Sequence, residues 1–121
     1  MSLQAEIVNK LHQMKAIAPG IKASGVITSD GLIVASDGLE TDEEDLFAAR
    51  SVIVISVAQQ VSQELGIEPI KHISIKGDKG TVFMIPLSER AFLVILADPQ
   101  AKLGALMLAA MKTAEELRGV V

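Results

Sequence analysis

Between Thr41 and Gly66 the chain reads TDEEDLFAARSVIVISVAQQVSQELG, a stretch with no proline and no internal glycine. No other feature restricts the possible folds as much. The run SVIVISVA has the β-branched density of a strand, but length and end signals decide against one. Thr41 with Glu44 three residues later reads as a capping box, and Asp42, Glu43, Glu44 and Asp45 put negative charge where a helix dipole favours it. Gly66, just after Leu65, is a C′ residue free to take the left-handed conformation. Against these signals, Val or Ile in a helix costs only about 0.5 kcal/mol per residue. The spacing predicts one helix of roughly 24 residues. Its apolar residues cover more of its circumference than a single buried stripe requires.

The other elements fall around this helix. Leu3, Ile7, Leu11, Met14 and Ala18 recur at helical spacing over 3–18, and Pro19-Gly20 stops them. KASGVITSDGLIVASDG holds two short apolar runs joined by Asp30-Gly31, a dipeptide suited to a tight hairpin. A strand over 70–76 alternates, with Ile73 and Ile75 on one face and His72, Ser74 and Lys76 on the other. GDKG turns the chain into TVFMIPL and AFLVILA; the second is apolar on both faces and so central. Asp98-Pro99 reads as the N-cap and first residue of a last helix carrying Leu103, Leu106, Met107, Ala110, Met111, Ala114 and Leu117. The order is α-β-β-α-β-β-β-α. A chain of 121 residues with no linker or repeat reads as one domain over 1–121.

Composition removes several classes of function. The apolar runs are too short to span a bilayer and no basic segment precedes an apolar one at the start, so membrane insertion and secretion are not expected. The absence of cysteine removes disulfides and thiolate chemistry and fits a cytoplasmic protein. A net charge of −4, no basic cluster and no Tyr or Trp argue against nucleic acid as a partner.

Catalytic and ligand-binding motifs are missing. His12 and His72 are the only histidines and share no metal-ligand spacing. DGLETDEED lacks the alternating oxygen ligands of a calcium loop and is better explained as helix-capping charge. KGDKG has glycines but not the GxxxxGK[ST] spacing of a phosphate loop. Ser24, Ser29, Ser36 and Ser74 have neither a nucleophile elbow nor a histidine placed by sequence to activate them. The reading is a non-enzyme with no cofactor, no metal and no catalytic residue. A small-molecule sensor would need convergent polar groups around a pocket, and none is visible.

Three stretches, GVITSDGLIVASDG, IKGDKGTVFMIPLSERAFLVILAD and ADPQAKLGALMLAAM, together resemble the Roadblock family, the dynein light chain Roadblock-like domains that include bacterial MglB-type regulators. The resemblance covers essentially the whole chain. It implies an α/β sandwich with a five-stranded antiparallel sheet of order 2-1-5-4-3, the long middle helix on one face and the terminal helices on the other. It also implies homodimers or heterodimers that serve as platforms for Ras-like small GTPases or as assembly adaptors, and a strand at 70–76 that pairs across the dimer.

At about 100° per residue the long helix carries three seams. Phe47, Val54, Ala58, Val61 and Leu65 form the fullest and are expected to lie on the sheet. Leu46, Arg50, Ile53, Val57 and Glu64 form a second, in which an antiparallel twofold near Val57 would set Arg50 of one chain beside Glu64 of the other, as an isologous dimer requires. Ala48, Val52, Ile55, Gln59 and Ser62 form a third, left for a different partner. The roles of the seams are open to exchange, since spacing does not say which meets a copy of itself. The expected self-interface is therefore Leu46, Arg50, Ile53, Val57 and Glu64 with Ile70, His72 and Ser74 of the edge strand, and the expected partner surface is Ala48, Val52, Ile55 and Gln59. Arg50 is also the candidate for an arginine finger, although its place in the second seam favours the interface. Two functions follow: a homodimeric platform that binds a Ras-like GTPase and modulates its nucleotide state or localisation, or an adaptor with no nucleotide preference.

Overall fold

The Asp30-Gly31 turn does close a hairpin. Gly31 takes φ +89° and donates its N–H to the Thr28 carbonyl at 3.0 Å, and the Thr28 N–H bonds the Leu32 carbonyl at 2.8 Å. A computed structural model describes residues 2–121. It contains α1 (Leu3–Ile17), β1 (Ile21–Thr28), β2 (Ile33–Asp37), α2 (Thr41–Glu64), β3 (Ile73–Gly77), β4 (Gly80–Pro86), β5 (Ala91–Ala97) and α3 (Leu103–Arg118). The strands form one antiparallel sheet of order β2-β1-β5-β4-β3, the order expected.

Strand alternation sorts the core into two layers. On one face Leu93 and Ile95 of β5 and Phe83 and Ile85 of β4 pack with Ile7, Leu11 and Met14 of α1 and Leu106, Ala110, Ala114 and Leu117 of α3. On the other, Phe92 and Val94 of β5, Met84 of β4 and Ile27 of β1 meet Ala48 and Ile55 of α2. The long helix thus covers one face and the terminal helices the other. β5 is buried on both sides, as its unbroken apolar run implies.

Three boundaries differ from the sequence reading. The α2 cap lies one residue earlier: Glu40 is the N-cap and its N–H bonds Glu43 Oε1 at 2.8 Å. Glu44 instead accepts from Ser36 Oγ at 2.7 Å, tying the helix start to β2. α3 begins at Leu103, not at Asp98-Pro99. Asp98 donates its N–H to the Gly20 carbonyl at 2.7 Å, Ala101 closes a turn onto the Asp98 carbonyl at 3.1 Å, and the Asp98 carboxylate lies 3.4 Å from Lys22 Nζ rather than on a helix end. β3 starts at Ile73, three residues later than expected. Beyond Met84, the partner of Ile73, β4 soon reaches Pro86, which has no N–H for the ladder. The first helix gains a cap at Ser2, whose Oγ accepts from the Ala5 N–H at 3.1 Å.

Candidate interaction surface

The rotation of α2 decides which of its seams is free. Ala48 and Ile55 are 1% exposed, and Ser51 and Ser62 are buried beside them. The inward face therefore runs between the first and third seams. Phe47, Val54 and Ala58 flank it half-buried on one side and Val52 and Gln59 on the other, while Val61 and Leu65 at the end of the first seam are exposed. This corrects the division read from spacing. The third seam is not left over for a partner, because Ala48 and Ile55 belong to the protein's own core and Val52 leans on the hairpin tip at Gly31.

The second seam points away from the sheet. Leu46, Ile53 and Val57 are 52%, 63% and 57% exposed, and Arg50 and Glu64 are exposed with them. A protein surface tolerates single exposed apolar residues, but Leu46, Ile53 and Val57 share one face of one helix, with Arg50 between the first two. The row continues onto the sheet. A groove of about 560 Å³ lies between Ile53, Val57 and Val61 of α2 and Ile67, Ile70 and Ile73. A second, of about 420 Å³, lies between Leu46, Arg50 and Val54 of α2 and Ile75, Val82 and Leu96. The apolar surface thus runs along the β3 side of the long helix.

β3 is one of the sheet's two outer strands and pairs only with β4. Its free side presents unpaired N–H and C=O groups. Of the three edge residues singled out from sequence, Ile70 is half-buried in the groove and lies before the strand. His72 lines the groove as well, but its ring stacks on Phe83, with centroids 5.1 Å apart and planes 17° from parallel, and Ser74 pairs with Phe83. The strand residues that face the α2 groove are Ile73 and Ile75, paired with Met84 and Val82. The sequence reading left them out of the interface. Their signal was an Ile at alternate positions of an edge strand, one of which, Ile75, is 49% exposed.

Among the described residues no cluster of His, Asp and Glu is disposed to hold a metal ion, and no helix is long and apolar enough to cross a membrane. The Asp30 carboxyl is held below the usual carboxylate range by the Thr28 hydroxyl and then by its own backbone N–H, a local feature of the hairpin turn. His12 Nδ1 lies 3.6 Å from Asp37 Oδ1, where α1 crosses β2, away from the grooves beside α2.

Two uncharacterized proteins of Methanocaldococcus jannaschii are 27% and 28% identical to this chain over 101 residues, each covering 84% of it and respectively 85% and 88% of their own length. Among solved structures, the Roadblock/LC7 domain from Streptomyces avermitilis superposes with a TM-score of 0.88 over 93% of this chain and 94% of that one. MglB of Myxococcus xanthus gives 0.88 over 96% and 87%, and the gliding protein MglB of Thermus thermophilus gives 0.88 over 99% and 91%. These three are each 18% identical to this chain, so the likeness is one of fold. The model of the Roadblock/LC7 domain matches residues 7–97, from the first turns of α1 to the end of β5, and the chain belongs to that family.

Proposed function

We propose that the protein is a non-enzymatic homodimeric platform that binds a Ras-like small GTPase and biases its nucleotide state. The observation that carries this reading is the outward apolar row Leu46, Ile53 and Val57, continuous with Ile73 and Ile75 of an edge strand whose outer side is free. Covering such side chains is worth roughly 1.5–3 kcal/mol each when burial is complete. A second copy related by a twofold near Val57 covers them, brings Arg50 toward Glu64 of its mate and pairs the two β3 edges. That arrangement is isologous and satisfies the edge hydrogen bonds at the same time. A solved MglB, itself 18% identical to this chain, is described as having a tetrameric arrangement, which is consistent with a fold that self-associates.

With Ala48 and Ile55 inside the protomer, the surface left to a partner is the outer flank of the paired helices, where Ala49, Ser56, Gln60 and Gln63 are exposed. A GTPase held there needs no residue inserted into its site. A platform that contacts the switch regions more favourably in one nucleotide state shifts the equilibrium by that difference in affinity. Arg50 sits beside Leu46 and Val54 on the groove wall, a place suited to dimerisation rather than to service as a finger.

The test is binding of the purified protein to a candidate small GTPase loaded with GDP or with a non-hydrolysable GTP analogue. The platform reading expects a preference for one state that Gln60→Glu and Gln63→Glu weaken. Equal affinity for both states would instead favour the adaptor, which uses the same dimer to join larger assemblies.

A further inference from the structure

The face opposite α2 carries a third cleft, chemically different from the two grooves beside that helix. It opens between α3 and the β3–β4 hairpin and measures about 650 Å³. Its floor is apolar: Phe83, Ile85 and Ala114 are buried core residues whose inner sides belong to the α1/α3 layer. Met111 stands over it at 57% exposure, and Leu108, one turn earlier on α3, is 73% exposed. The rim is basic. Lys71, Lys112 and Arg118 surround the cleft, with His72 stacked on Phe83 at its edge and Glu115 as the single carboxylate. Arg118 is fixed there, since its Nη2 donates to the Pro86 carbonyl at 2.7 Å.

This balance runs against the rest of the molecule. The chain has 15 Asp and Glu against 11 Lys and Arg. The groove at the start of α2 is lined by Asp42 and Glu43 with Arg50 alone opposing them. A local excess of cations over an apolar floor suits a ligand that brings carboxylates around apolar anchors.

The geometry points to the cleft between α3 and the β3–β4 hairpin as a docking site for an acidic segment of another protein, one that seats apolar side chains on Phe83, Ile85 and Met111 and ranges its carboxylates along Lys71, Lys112 and Arg118. The site lies on the sheet face turned away from α2. A partner bound there leaves the long helices free, so the same protomer can hold a GTPase on one face and be tethered through the other. Two such clefts in a dimer joined at β3 stand on the same face, which lets one partner with two acidic segments bind with the gain of linked sites.

The test uses the full chain and two synthetic peptides with identical leucines at helical spacing, one carrying glutamate and the other lysine at every remaining position. Fluorescence anisotropy measures affinity, and amide chemical shifts locate the contact. The proposal expects saturable binding of the glutamate peptide only, with shifts at Phe83, Ile85, Met111 and Ala114. Lys71→Glu combined with Lys112→Glu is expected to weaken binding about tenfold, as is raising the salt, since both act on rim charges. Met111→Ser weakens it without changing the charge, and Lys79→Glu, in the β3–β4 turn away from the cleft, leaves it unchanged. Equal binding of both peptides, shifts confined to the α2 grooves, or no saturation by the glutamate peptide would overturn the proposal. So would binding to vesicles rich in phosphatidylserine without binding to the peptide, which would make the cleft a membrane contact.

Discussion

Val52 Cγ1 lies 3.4 Å from the point where a Cβ on Gly31 would sit, so the tip of the first hairpin rests against the third seam of the long helix. That contact, with the hydrogen bond that Ser36 donates to Glu44 about two turns earlier, fixes the rotation of α2 on the sheet. It turns Ile55 inward and leaves Ile53 and Val57 outside.

Neighbouring isoleucines of α2 should therefore behave differently when truncated. Ile55→Ala empties a core position between α2 and β5 and should destabilise the protomer by about 2–5 kcal/mol. Ile53→Ala should leave the protomer's fold intact and weaken self-association instead. Denaturant unfolding at low protein concentration reads the first effect, and sedimentation across concentrations reads the second.

Two glycines with positive φ separate backbone strain from steric conflict. At Gly38, φ is +85° and an added Cβ would meet the Lys22 carbonyl oxygen at 2.3 Å. At Gly66, φ is +69° and nothing lies within 4 Å. Gly66→Ala should cost about 1 kcal/mol, the penalty of the left-handed conformation alone. Gly38→Ala should cost about 3 kcal/mol, because β1 must shift as well. Similar losses for both, by urea denaturation, would contradict the close approach at Gly38.

Asp30 offers a local pH probe. The Thr28 hydroxyl, followed by the Asp30 backbone N–H, holds its carboxyl below the ordinary value. Because the folded-state pKa is the lower one, the turn's contribution to stability is present above the ordinary carboxylate pKa and fades as pH falls through the depressed value. Thr28→Val removes the first cause, so the Asp30 titration followed by NMR should move upward toward the ordinary range. A titration that stays in place would mean the hydroxyl does not set it.

Buried serines can be tested against apolar expectation. Ser62 donates its hydroxyl to the Gln59 carbonyl at 2.9 Å within the helix, so its burial leaves no polar group unpaired. Ser62→Ala keeps the small volume and removes only this local bond. Its effect on stability should stay within about 0.5–1.5 kcal/mol, read from thermal unfolding.

Ser62 and its buried neighbour Ser51 also explain what spacing could and could not reveal. The extent of α2 was legible from its acidic start, its uninterrupted interior and Gly66, and the hairpin from Asp30-Gly31. The central place of β5 followed from AFLVILA being apolar at every position. The rotation of α2 was not legible, because counting apolar residues favours Phe47, Val54, Ala58, Val61 and Leu65, whereas the middle of the buried face is held by Ser51 and Ser62. Small side chains let the helix approach the sheet closely, and a hydrophobic pattern does not register them. The start of α3 was hidden for a different reason. Asp98 meets the Gly20 carbonyl and Lys22, contacts that join residues far apart in sequence and override a good local capping signal. The outward seam, by contrast, was visible in Leu46, Ile53 and Val57 as apolar residues in excess of what one sheet face can cover.

The functional proposal rests on that seam meeting a second copy of itself. The most direct measurement is solution mass by light scattering across a dilution series, for the native protein and for Val57→Glu, with the fold of each followed by circular dichroism. A native dimer that Val57→Glu converts into a folded monomer is the predicted result. A native protein that is monomeric throughout the series, or a dimer that Val57→Glu leaves unchanged, would contradict the account.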